Sequence, residues 1–137
     1  MTNKTIITLL LMLFCTFQSV GAQTSRGGND VMTHRPDGTY VVNTTTLATD
    51  VKGFKGATPL LVYIKSGKVI KVEALTNHES PNFFGKVKLY LLAKWNGMKA
   101  AKAATTEVDG VTGATFSSKA VKEYVKRGVN YYMKHRK

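Results

Sequence analysis

The sequence predicts an α+β fold: a small single domain with an antiparallel sheet, a central hairpin and two main helices packed on it. Three observations carry this. Residues 60–64 and 69–75 are β-forming runs separated by Ser66-Gly67, a two-residue turn in which Gly67 can take the positive φ of a tight hairpin. Residues 83–95 and about 117–134 each place apolar side chains at helical spacing. The chain is 137 residues long, enough for one core and not for two.

The elements follow in order. Residues 1–22 read as a signal peptide, with Lys4 as the positive start, an apolar run over 6–14 and a small-residue cleavage site at Val20-Gly21-Ala22. An uncleaved anchor is opposed by the polar Thr16, Gln18 and Ser19, and lipidation at Cys15 by the bulky Phe14 before it. Residues 23–36 are rich in Gly, Ser, Asn and Arg and read as a flexible leader, so the domain proper is expected over 37–137. Asp37-Gly38 is a turn, 39–43 a short strand that Thr44 to Thr46 could extend, and Gly53 and Gly56 bracket Phe54 in a loop. On the second hairpin strand the apolar set Ile70, Val72 and Ala74 is expected to face the core. Phe84, Val87, Leu91 and Trp95 define the next helix, which Asn96-Gly97 stops. Residues 98–104 could add a further helical turn and 105–108 a short strand. The last helix carries Val121, Val125, Gly128/Val129 and Tyr132 on its apolar stripe. Ser117 or Ser118 is its expected N-cap, and the basic 134–137 tail suits the negative end of its dipole. The aromatics Tyr40, Phe54, Tyr63, Phe83, Phe84, Tyr90, Trp95 and Phe116 are assigned mainly to the core by default.

Composition narrows the chemistry. Cys15 is the only cysteine and leaves with the signal, so the mature chain has no disulfide and no thiol redox chemistry; redox work would need a cofactor. An exported domain without disulfides suits a bacterial periplasmic or other extracytoplasmic setting. Twenty Lys and Arg face eight Asp and Glu, a net charge of +12 that becomes +11 without Lys4. A field of that sign draws anions and acidic proteins, although lysines spread along the chain also describe a solvated basic surface. His34, His78 and His135 are far apart with no i,i+4 pair, which argues against zinc. No Gly-x-Ser-x-Gly elbow, Walker loop or dinucleotide-binding glycine pattern is present. No basic-aromatic cluster points to nucleic acid, and none is expected as a partner.

Residues 109–118, Asp-Gly-Val-Thr-Gly-Ala-Thr-Phe-Ser-Ser, form a small, hydroxyl-rich turn before the last helix. Gly113 permits positive φ or close backbone approach, Ala114 keeps the site open, and Thr112, Thr115, Ser117 and Ser118 offer hydroxyls. Helix-start N–H groups and dipole add a seat for a phosphate. Read from the residues alone, a phosphate seat and an ordinary capped turn stand level.

The run Asp109-Gly-Val-Thr-Gly-Ala-Thr115 resembles the flavinylation motif of the FMN-binding domain family, which includes flavin-carrying components of the sodium-translocating NADH:quinone oxidoreductase and of the Rnf electron-transport complex. That motif is Asp, two variable positions, Ser or Thr, then Gly-Ala-Thr. The resemblance implies FMN as cofactor, joined through its phosphate to the Thr115 hydroxyl by a flavin transferase. It makes Asp109, Thr112, Gly113 and Ala114 the recognition and seat residues, with Ser117 and Ser118 beside them. Asn77-His78-Glu79-Ser80-Pro81 is similar to the family loop that lies against the flavin, and residues 56–75 to its strand pair. Departures are Ser80 for Thr, Asn82 for Gly, and the transposed order of Asn77 and His78. Phe83, Phe84 and Phe116 flank these segments, and one of them is expected near the flavin ring.

The reading is an exported electron carrier rather than a stand-alone enzyme. It is reduced and oxidised by membrane or periplasmic partners, some of them acidic. The alternatives are a non-covalent FMN-binding or sensory module of the same fold and, third, a basic surface-binding protein without flavin.

Overall fold

The computed structural model describes residues 30–137. The signal-peptide assignment and residues 23–29 of the leader lie outside the described residues. Four strands, β1 (Met32–His34), β2 (Tyr40–Asn43), β3 (Leu60–Lys65) and β4 (Lys68–Ala74), form one antiparallel sheet in the order β1-β2-β3-β4. Three α-helices follow, α1 (Pro81–Tyr90), α2 (Ala100–Thr105) and α3 (Thr115–His135), with a 3-10 turn over Leu92–Trp95 between the first two. Among the described residues no helix is long and apolar enough to cross a membrane.

The β3–β4 hairpin turns where the sequence places it. Both loop residues take positive φ, Ser66 at 52° and Gly67 at 74°, which matches the right-handed twist of the flanking strands. The first strand is a departure: residues 32–34, read as leader, pair with β2 through His34↔Tyr40 and Met32↔Val42. Thr44 ends β2 instead of extending it. Its buried hydroxyl donates to the Leu60 carbonyl (3.1 Å) and accepts the Leu60 N–H (2.9 Å), tying the start of β3 in place.

One face of the sheet is the core face. Val42, Leu60, Val62 and Ile64 pack against Val121, Val125, Val129 and Tyr132 of α3 and against Trp95. Gly128 lets α3 approach closely, since a Cβ there would sit 2.9 Å from Thr44 Cγ2 and 3.3 Å from Val62 Cγ2. β4 corrects the simple alternation. Tyr63 pairs with Lys71 but Ile64 with Val69, so Ile70 is the extra residue of a β-bulge. Val69 and Val72 are thereby buried, while Ile70, expected in the core, is 45% exposed.

Residues 105–108 do not form the expected strand. The start of β4 is met at its outer edge by residues 97–99: Val69 N–H donates to the Met98 carbonyl (2.8 Å) and Gly97 N–H to the Val69 carbonyl (2.7 Å). The helical turn expected over 98–104 is α2, beginning at Ala100.

Candidate functional site

Three loops meet at the N-terminal end of α3. In the first, Gly110 lies against Ser118, where a Cβ would come within 3.2 Å of the serine Cβ. The Val111 N–H donates to Ser118 Oγ (3.0 Å). Ala114 N–H closes a four-residue turn on the Val111 carbonyl (3.0 Å), with Gly113 at φ +83° in its third position. That turn places the N-cap at least three residues earlier than the serines suggest. Ala114 is the N-cap residue and no side chain caps the helix. Thr115 is therefore the first helical residue, exposed to solvent, beside N–H groups that lack an intrahelical partner. Ser117 and Ser118, expected as caps, are buried inside the first turn with both hydroxyls engaged elsewhere.

The second loop is 77–80. Asn77 donates to the Leu75 carbonyl (3.1 Å) and its Oδ1 accepts the Glu79 N–H (3.0 Å), an Asx-type turn that directs the Glu79 side chain inward. Glu79 is 7% exposed. Its Oε2 accepts the Ser117 hydroxyl (2.6 Å) and its Oε1 the Lys55 N–H (2.9 Å) from the third loop. Pro81 opens α1, where a missing N–H does no harm, and the Ser80 carbonyl receives the Phe84 N–H (2.8 Å).

Between these loops lies a cleft of about 280 Å³, walled by Phe54, Phe83 and Phe116, with Glu79, Ser80, Gly113, Ala114, Thr115 and Ser117 completing it. All three phenylalanines are exposed at their outer faces, Phe116 by 66%, and the Phe54 and Phe116 ring centroids are 6.4 Å apart with a 35° tilt. Assigning Phe54, Phe83, Tyr90 and Phe116 to the core is thus corrected: all four are solvent-facing. Phe84 is the opposite case, 4% exposed and part of the core rather than near the cleft wall. On the other side of the turn a shallower groove of about 530 Å³ is lined by Thr112, Gly113, Thr115, Lys119 and Lys122. Gly113 and Thr115 belong to both.

Eight of the residues the sequence singles out therefore converge on these two hollows: Glu79, Ser80, Thr112, Gly113, Ala114, Thr115, Ser117 and Ser118. Ser118 lines the groove and braces the turn. Asn77 acts through Glu79, and Pro81 lies behind Glu79 in a separate hollow with Gly85 and Lys88. His78 is exposed and lines neither hollow. Asp109 is also exposed outside both; its main-chain carbonyl accepts Lys94 Nζ (3.0 Å). Phe54, Lys119 and Lys122 do not stand out in the sequence as site residues. The one signal for Phe54 is an aromatic in a loop between two glycines. Among the described residues no three His, Cys, Asp or Glu come together as a metal site.

An exposed hydroxyl at an uncapped helix start, an aromatic cleft on one side and a lysine-lined groove on the other suit an anionic aromatic ligand. No curated protein matches the chain. A family model described as the FMN-binding domain matches residues 53–130, a span that includes all three loops and most of α3. The chain belongs to the FMN-binding domain family, and FMN is its cofactor.

Proposed function

We propose that the chain is an exported flavoprotein that carries FMN as a phosphoester on Thr115 and passes electrons between redox partners. The observation that carries this reading is the position of Thr115: exposed, first in α3, and shared by the aromatic cleft and the basic groove. The residues present fit the group. Phe54, Phe83 and Phe116 supply an apolar wall for a flat ring system, and Ala114 adds no bulk between wall and anchor. The helix-start N–H groups and Lys119, one helical turn after Thr115, offset the charge of a phosphate there. Bound FMN supplies one- or two-electron transfer; the chain's residues hold it, orient it and shield one side from water.

The partner side of the proposal rests on charge. Between Ser80 and Thr106 there is no Asp or Glu but five lysines, and this stretch exposes Phe83 at the cleft and Leu89 and Tyr90 at the far end of α1. It is suited to brief encounters with acidic redox proteins.

Full-length chain co-expressed with a flavin transferase in a secreting bacterial host, denatured and weighed, tests the reading. The expected mass is that of a chain starting at Gln23 plus FMN minus water, and Thr115→Val removes the increment. An unmodified mass beside an active transferase overturns the covalent claim. Yellow colour that survives native gel filtration but not denaturation identifies the non-covalent alternative. A retained N-terminal Met1 refutes export by cleavage.

A further inference from the structure

Glu79 is the only buried carboxylate among the described residues, and each of its oxygens accepts a hydrogen bond from another segment of the chain. Each accepts from a residue next to one of the cleft's phenylalanines: Oε1 from the main chain of Lys55, beside Phe54, and Oε2 from Ser117, beside Phe116. These partners are 24 and 38 residues away in sequence, so one side chain joins three separate segments. The surroundings are shaped to it. A Cβ on Gly53 would lie 2.5 Å from Glu79 Oε1 and 3.0 Å from its Cδ, which leaves room for no side chain at that position. Asn77 Oδ1 holds the Glu79 main chain from its own loop by accepting the Glu79 N–H. Resting on the reading of the cleft as the flavin's seat, we propose that Glu79 is a positioning residue. Its two oxygens clasp the Phe54 loop to the first turn of α3, and this sets the gap between the aromatic walls into which the ring of FMN fits.

The chemistry of the clasp separates geometry from charge. In Glu79→Gln the amide oxygen can accept the Lys55 N–H while the amide nitrogen donates to Ser117 Oγ, so both links survive without the negative charge. Glu79→Ala removes both links. Ser117→Ala cuts only the link to α3.

Two readouts test this. The first is amide hydrogen exchange at Lys55 in protein without FMN; the second is the visible circular dichroism of FMN-loaded protein, which reports how the ring is held. Glu79→Ala is expected to speed Lys55 exchange by more than about tenfold, the loss of a hydrogen bond to a charged acceptor, and to remove most of the flavin's visible dichroism. Ser117→Ala should keep Lys55 slow yet lose dichroism, and Glu79→Gln should resemble wild type in both. Wild-type exchange at Lys55 in Glu79→Ala overturns the clasp, as does unchanged dichroism in Ser117→Ala. Glu79→Gln behaving like Glu79→Ala overturns it too, because charge would then be the active property. If Glu79→Ala does not fold, Ser117→Ala and Glu79→Gln still decide. A wild-type chain that takes up no FMN refutes the flavin seat, while Lys55 exchange continues to judge the clasp.

Discussion

Arg127 serves two acids from the middle of α3. Its Nη2 donates to Asp50 Oδ2 (2.9 Å) and its Nε to Glu123 Oε1 (2.9 Å), while Nη1 also reaches the Leu47 carbonyl (3.3 Å). Hydrogen bonding to this guanidinium holds the Asp50 carboxyl below the usual aspartate range. A depressed carboxylate stabilises the fold above its unfolded-state pKa, about 4, and that contribution fades as pH falls through the lower folded-state value. Asp37, held down by the Thr39 N–H, and Glu73, held down by Lys71, act with the same sign. Urea unfolding of Asp50→Asn is therefore expected to show a smaller loss of stability than wild type below about pH 4, and lower stability than wild type at pH 7. Equal acid slopes in the two proteins would contradict this. Much of the site is legible at this scale because it rests on backbone demands. Gly113 must take positive φ, and that need is written in the residue type. Ser117 and Ser118 resemble caps in the sequence but are not, because the Val111–Ala114 turn, not the serines, fixes where the helix starts. Phe83 and Phe84 are neighbours that a helix turns about 100° apart, one to the cleft and one to the core; composition does not tell them apart.

The bulge in β4 is the clearest case of an element overriding its pattern. Alternation assigns Ile70 to the interior, whereas the extra residue at the Tyr63/Ile64 register shift turns Val69 inward instead. Val69→Thr, which buries a hydroxyl among apolar neighbours, is expected to destabilise by about 1–3 kcal/mol in urea. Ile70→Thr should stay within about 0.5 kcal/mol of wild type, as for an ordinary surface change. The reverse order would mean that β4 follows simple alternation. The hairpin itself is fully legible, since Ser66-Gly67 and its flanking runs are local signals. Strand β1 is not, because Met-Thr-His has little β character and is held by pairing with β2. The strand expected at 105–108 is absent: Thr105 closes α2, and the β4 edge at Val69 is already taken by Gly97 and Met98.

At the scale of the molecule, charge and apolar exposure coincide. Most of the exposed large hydrophobics, Phe54, Phe83, Leu89, Tyr90 and Phe116, belong to the cleft or to α1. The acid-free stretch that contains α1 also exposes Lys86, Lys88 and Lys94. Re-oxidation of the reduced, FMN-loaded protein by an acidic c-type cytochrome is expected to slow severalfold or more between about 20 and 500 mM salt, as screening shortens the reach of the field. Lys86→Glu/Lys88→Glu should reproduce the slowing at low salt. A rate indifferent to both would remove the proposed role of this face. α3 gives the arrangement a further consequence. It is a rod of about 30 Å, fastened to the sheet through Val121, Val125, Val129 and Tyr132, and Thr115 is its first residue. A group bonded to Thr115 hangs from a rigid mount, not from a swinging arm. On the proposed reading, a flavin mounted there would meet a partner only as the whole domain turns towards it, so the orientation of the domain, not the reach of a side chain, would set the encounter.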